Sequence, residues 1–192
     1  MNGMSSPATI DGESTHLITL GIADLSFLNR FGVKGTEAAT WLQSHNLPIP
    51  ESPNRWLSLP EGGLIARLGF NEFLIEDSMT SHVALQLTEL CQQLPKKVYP
   101  VLRQDAAIAL CGSRIHELLC QTCNINFRSL NLAEQPVILT SMIGVNVTIV
   151  PGEQVYRIWC DGTFGAYVWR TLLEIAQELG GGAVGFERVL SL

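Results

Sequence analysis

One arrangement occurs twice in this chain, and it limits the folds open to it. Arg30 to Lys34 reads as a strand that ends at Gly35, and Thr36 to His45 follows as a helix. Ala106 to Leu110 reads as a strand that ends at Cys111-Gly112, and Ser113 to Thr122 follows as a helix. With Gly35 set over Gly112, Ala38 falls on Ile115, Trp41 on Leu118 and Leu42 on Leu119. Each strand–glycine–helix segment leads through a loop to a β-hairpin and a further helix, and the two copies lie roughly 80 residues apart. Two copies are too few for a solenoid, which needs about three or more. Strands segregated from helices, instead of strict alternation, predict an α+β domain made of two related half-units.

The local patterns fill in this outline. Ala38, Trp41, Leu42 and His45 fall at helical spacing on one face. Leu47 to Pro60 holds four of the nine prolines and reads as an irregular loop, because proline removes backbone donors and restricts its neighbour. Glu61 to Asp77 reads as a hairpin: Leu64 to Leu68 alternates at period two, Gly69 to Glu72 turns the chain, and Phe73 to Ile75 returns it. Ser78 or Ser81 is the expected cap of a helix whose stripe is Val83, Leu87, Leu90, Cys91 and Leu94.

In the second copy, residues 124–136 read as a loop and Val137 to Thr140 as a short strand. Val145 to Val150 and Val155 to Cys160 flank a Pro151-Gly152 turn. Thr163 to Leu179 is the last helix, with Phe164, Tyr167, Val168, Leu172, Ile175 and Leu179 inward and Trp169 outward. Leu17 to Leu20 reads as a strand, and Asp24 to Ser26 as a turn or helix start. Residues 1–15 are expected to be a flexible tail before a single α+β domain at 16–192, with halves at about 17–95 and 96–190.

At 192 residues the chain buries roughly 70% of its unfolded surface, enough for a core without staples. Its 46% hydrophobic and 16% charged residues place it among globular proteins. The net charge of −6 argues against nucleic acid or an anionic membrane as the main partner, since both need a positive face. No apolar run approaches the roughly 20 residues that span a bilayer, and residues 1–15 lack the basic start and apolar core of a signal peptide. The expected location is the cytoplasm, where the five cysteines stay reduced. Asn146-Val147-Thr148 matches a glycosylation acceptor, which has no meaning there.

Four motifs invite a chemical reading. Gly180 to Gly185 matches G-x-G-x-x-G, but a nucleotide site needs a strand before it and a helix after it. Here a helix precedes it, so left-handed glycines ending that helix are expected. His116-x3-Cys120-x2-Cys123 has metal-ligand spacing without an obvious fourth ligand, and small buried cysteines are the plainer reading. Arg67 stands in an apolar strand, either on a solvent-facing position or placed to pair with a carboxylate. Arg55, Trp56 and Trp169 have the composition of a protein interface, and they equally suit chance surface positions. No HExxH, GxSxG or Cys/His nucleophile signature occurs.

Several segments, in order, resemble one family. They are Asp24-Leu25-Ser26 with Arg30-Phe31-Gly32-Val33-Lys34-Gly35, then Pro53-Asn54-Arg55, then Leu68-Gly69-Phe70-Asn71-Glu72-Phe73-Leu74. Leu110-Cys111-Gly112-Ser113 and Thr163-Phe164-Gly165-Ala166-Tyr167-Val168-Trp169 complete the series. Over residues 20 to 188 the chain resembles the gamma subunit of heterotetrameric sarcosine oxidase, a relative of the folate-binding part of the glycine-cleavage T protein. The resemblance implies a non-catalytic structural subunit of a complex that oxidatively demethylates sarcosine. It implies that FAD, FMN, NAD, zinc and tetrahydrofolate sit on the other subunits.

T-protein relatives place an aspartate just after the hairpin's Gly-Gly. Counting from Gly62-Gly63 brings Ala66 or Arg67 to that place, and neither is an acid/base carboxylate. The motif K-G-C-Y-x-G-Q-E of the folate-dependent iron–sulfur maintenance proteins is also absent. No catalytic, cofactor-binding or metal residue is therefore assigned to the chain, and Arg55, Trp56, Arg67 and Trp169 are its candidate interface. The alternative is a stand-alone folate-binding protein, with Glu72, Glu76 and Asp77 as the nearest carboxylates for a pterin. All three read as solvent-facing turn residues. An aminomethyltransferase with a displaced acid is the third reading.

Overall fold

The computed structural model describes residues 6–93 and 95–192. In chain order the elements are α1 (Ser14–Thr19), β1 (Gly21–Asp24), β2 (Arg30–Lys34), α2 (Ala38–Ser44), β3 (Arg55–Ser58), β4 (Leu64–Gly69), β5 (Glu72–Glu76), α3 (Val83–Leu90) and β6 (Tyr99–Val101). There follow β7 (Asp105–Cys111), α4 (Ile115–Thr122), β8 (Ile138–Met142), β9 (Val145–Pro151), β10 (Val155–Asp161), α5 (Gly165–Glu178), β11 (Gly182–Ala183) and α6 (Phe186–Leu190). The class is α+β. The order strand, helix, three strands, helix, strand runs through β2–β6 and again through β7–β11.

Two compact units form, and their boundaries differ from the expected halves at 17–95 and 96–190. The first unit takes residues 6–27, 105–133 and 138–192; the second takes 28–93, 95–104 and 134–137. Backbone pairing explains the difference. β1 lies between β7 and β11 in the six-stranded sheet β11-β1-β7-β10-β9-β8, antiparallel to β7 and parallel to β11. β6 pairs with β2 at the edge of the five-stranded sheet β3-β4-β5-β2-β6.

In the first unit, α4 and α5 bury Leu118, Leu119, Val168, Trp169 and Leu172 against Ile108, Leu110, Ile149, Tyr156 and Ile158 of the sheet. The strand β7 is buried from Ala106 to Cys111, as a continuous apolar run in a central strand requires. The segment expected to be a loose tail is held from residue 6 onward. Pro7 and Ala8 carbonyls accept from the amides of Phe186 and Glu187. The buried Glu13 carboxylate accepts from Gly185 N at 2.6 Å and Ile10 N at 3.1 Å. Leu17 to Thr19, expected as strand, belongs to α1, and the strand begins two residues later at Gly21.

In the second unit, Trp41 and Leu42 of α2 and Ala84 and Leu87 of α3 pack on Phe31, Val33, Ile65, Phe73 and Ile75. The hairpin forms in register, Ile65 opposite Ile75 and Ala66 opposite Leu74, with a bulge between Arg67 and Gly69. The expected loop at 47–60 contains β3, which pairs with β4. The cap of α3 is Asp77, not Ser78 or Ser81. Its carboxylate accepts from Ala84 N at 2.9 Å and Leu85 N at 3.4 Å, within the first turn. Leu94 of the expected α3 stripe lies outside the described residues.

Candidate functional site

The place after Gly62-Gly63 is built by β4. Ala66 is fully buried between Trp56 of β3 and Leu74 of β5. Arg67, the next residue, has its guanidinium committed to backbone. Nη1 donates to the carbonyls of Pro50 and Glu51 at 2.9 Å each, and Nη2 donates to Phe70 O at 2.8 Å. Its Cζ stands 5.6 Å from the Phe73 ring centroid, within cation–π reach. Arg67 thus fastens the proline-rich segment and the hairpin turn to β4. It is neither a solvent-facing side chain nor a partner-seeking one. No carboxylate stands at this place.

Three other interface candidates separate in the same way. Arg55 faces Arg67 across the β3–β4 pair and makes an ion pair with Glu134. Trp56 is half-buried, and its amide donates to Gln135 O at 3.0 Å. Trp169 is only 8% exposed and belongs to the first unit's core, whereas Tyr167, expected inward, is 46% exposed and donates from its hydroxyl to Ile143 O at 3.1 Å. The structure brings Arg55, Trp56 and Arg67 onto adjacent strands of the second unit and leaves Trp169 out of any surface.

The pterin candidates were expected in solvent, and two of them are buried. Glu76 is 1% exposed at its side chain and accepts from Arg30 Nε at 2.7 Å. Asp77 holds Ser81 Oγ at 3.0 Å as well as the α3 amides. Glu72, the exposed one, takes Arg103 Nη2 at 2.9 Å. Each carboxylate already has a cationic or amide partner from its own unit. A reduced folate needs a carboxylate free for the pterin's donors, and these three do not fit that role. The signal that sequence reading lacked is Arg30, whose pairing with Glu76 follows only from the β2–β5 register.

In the first unit an open depression of about 420 Å³ is lined by residues that include Asp105, Leu139, Thr148, Trp159, Cys160 and Asp161. Burial pushes the Cys160 thiol up to about 11, with the Asp105 and Asp161 charges adding to it. A thiol held there stays protonated at neutral pH and is no nucleophile. Hydrogen bonds from Thr163 hold Asp161 below the usual carboxylate range. His116 lies edge-on to Tyr156, with centroids 5.9 Å apart, Cys120 is exposed, and the buried Cys123 sits 3.8 Å from Thr140 Oγ1. Among the described residues no three metal-ligating side chains come together.

The glycine motif is structural packing. Gly180 adopts φ 77° at the end of α5, and Gly181 N donates to Ala176 O at 2.7 Å, closing the helix. A Cβ on Gly181 would stand 2.1 Å from Leu20 O, so backbone approach requires glycine there. Among the described residues no helix is long and apolar enough to cross a membrane.

The fold these elements define is that of the glycine-cleavage T protein and of a sarcosine oxidase chain. A chain of heterotetrameric sarcosine oxidase from Corynebacterium sp. U-96, in complex with pyrrole 2-carboxylate, matches with a TM-score of 0.68 at 20% identity. The match covers 93% of this chain and 92% of that one. The glycine cleavage system aminomethyltransferase T from Bartonella henselae matches with a TM-score of 0.70 at 15% identity, over 90% of this chain and 50% of that one. This chain therefore spans half of the T protein's length. No family model and no curated protein matches the sequence. At these identities the likeness is one of fold, and it agrees with the motif order read from the sequence.

Proposed function

We propose that this chain is a non-catalytic, gamma-like subunit of a heterotetrameric sarcosine-oxidase-type complex in the cytoplasm, where it serves assembly and sarcosine catabolism. The observation that carries this reading is Arg67. By the count from Gly62-Gly63, Ala66 or this arginine, tied to three carbonyls, takes the position where the family resemblance implies a transferase's carboxylate. A fixed guanidinium cannot accept a proton, and it repels a protonated amine. Coverage supports the same reading. The match takes in nearly all of an oxidase chain but only half of the T protein. FAD, FMN, NAD, zinc and tetrahydrofolate then belong to the other subunits. The recurring element order supports reading the chain as an internal duplication.

The alternative, a stand-alone folate-binding protein, is weakened by the intrachain commitments of Glu72, Glu76 and Asp77. Titration calorimetry separates the two. The chain alone is expected to give no binding heat with tetrahydrofolate. Mixed with the large subunits of a sarcosine-oxidase-type complex, it is expected to form a stable complex. Micromolar binding of tetrahydrofolate by the chain alone would instead support the stand-alone protein.

A further inference from the structure

The second unit gathers cations and apolar side chains at one end of its sheet. The chain has three lysines, Lys34, Lys96 and Lys97, and all three are exposed there. Lys34 ends β2 and stands opposite Tyr99 of β6 on one side and Glu72 of β5 on the other. Lys96 and Lys97 form the turn that leads into β6. Lys97 is fixed against β2, because its carbonyl lies where a Cβ on Gly35 would be, 1.9 Å away. Gly35 N in turn donates to Asn71 O at 2.9 Å, which brings the β4–β5 turn and Phe70 to the same end.

Two large apolar side chains accompany the lysines. Phe70 is 79% exposed and Tyr99 56%. Such exposure at one place is unusual for a surface with nothing to bind. Two acidic residues stand nearby: Glu72 is paired with Arg103, and Glu37 adjoins Lys97, its amide donating to Lys97 O at 3.4 Å, so the three ammonium groups outnumber the one carboxylate not paired with an arginine. Among the described residues no ion pair involves a lysine, whereas Arg30, Arg55, Arg103, Arg114 and Arg188 are all paired with glutamates. A chain of net charge −6 thus carries a local positive rim around an apolar centre. That is the anatomy of a protein interface, with aromatic anchors inside a charged, hydrated border.

We propose that this end of the second unit's sheet, with Phe70 and Tyr99 bordered by Lys34, Lys96 and Lys97, docks onto an acidic face of a partner subunit. The inference rests on the subunit reading above and names the surface and the charge of what covers it. Charge complementarity selects the partner's chemistry: three unpaired ammonium groups call for carboxylates. Side chains make the contact, not strand addition, since Pro100 removes an N–H from the β6 edge. The chain's overall negative charge disfavours an anionic bilayer as the occupant.

Because these are all the lysines of the chain, amine chemistry reads this surface and little else. The test uses the native assembly, isolated through a tag on this chain, beside the chain alone. Both are treated with an acylating reagent and with a zero-length carbodiimide that joins amines to carboxylates. Acylation of Lys34, Lys96 and Lys97 is expected to fall at least roughly tenfold in the assembly, with carbodiimide links running from them to partner Asp or Glu. The triple variant K34E/K96E/K97E is expected to lose roughly a hundredfold in affinity for the assembled partner, and Y99A roughly tenfold. Circular dichroism of each free variant should match that of the parent chain. If the triple variant does not fold, protection and cross-links in the parent assembly decide the matter.

An intact assembly in which the three lysines stay fully reactive would overturn the surface while leaving the subunit reading in place. Recovery of the chain only as a monomer would overturn both. Carbodiimide links to a second copy of this chain would overturn the partner assignment. So would sedimentation of the chain with vesicles of equal parts phosphatidylserine and phosphatidylcholine.

Discussion

Three side chains, Arg30, Glu76 and His116, set the behaviour of this molecule residue by residue. The Arg30–Glu76 pair is withdrawn from water, with side chains 3% and 1% exposed. Attraction inside a protein offsets desolvation only while both partners are present, so removing one leaves a buried charge. Glu76→Ala is expected to lower the unfolding free energy by about 3–5 kcal/mol in urea titrations. Replacing both residues, Arg30→Met with Glu76→Leu, should recover most of that loss. His116 acts through pH. Burial, and then the Arg128 charge, hold its imidazole below the ordinary value of 6.5. The unfolded chain therefore binds the proton more readily than the folded one. The stability cost is absent above about 6.5 and grows as pH falls through that value toward the folded pKa. Thermal melts from pH 7.5 down to 5 should show this decline, and His116→Gln should flatten it. The exposed Arg114–Glu117 pair holds Glu117 below the carboxylate range, but its solvent exposure makes it a minor contributor.

Element by element, the central hydrogen-bonded pieces were legible from the chain and the edges were not. β2, the β4–β5 hairpin, β7 and the β9–β10 hairpin follow from alternation, continuous apolar runs and turn residues. β3 was hidden by the prolines around it, and β6 by Pro100, which a strand tolerates only at an edge. The apolar stripe of α5 is wide, so periodicity alone does not set its phase. Both the Val168, Trp169, Leu172, Ala176 set and the Tyr167, Ile175, Leu179 set lie near helical spacing. Packing on the sheet selects the former. Trp169→Ala should therefore cost about 3–5 kcal/mol in chemical unfolding, and Tyr167→Ala less than about 1. The site suffered from range. Arg67 was legible as an anomaly, but its acceptors at Pro50 and Glu51 lie 17 and 16 residues away in a loop with no periodic signal. Asp77 caps α3 from six residues before its start, beyond the usual cap position. Asp77→Ala should cost about 1–2 kcal/mol and fray α3, which amide exchange of Ala84 and Leu85 would report.

At the scale of the whole molecule, the chain shares its fold with an aminomethyltransferase T and with a sarcosine oxidase chain. After Gly62-Gly63, where the family resemblance leads one to expect a carboxylate, the chain carries a buried methyl group at Ala66 and a guanidinium bound to backbone at Arg67. Binding energy in such a chain is available for partners, and its cations and apolar side chains collect at one exposed end of the second unit. The most direct measurement is co-expression of the large oxidase subunits with and without this chain, followed by assembly mass and flavin-normalised turnover of sarcosine. The expected result is a complex that contains this chain in fixed ratio, and that dissociates or fails to form without it. A complex of unchanged mass and turnover in its absence would contradict the account.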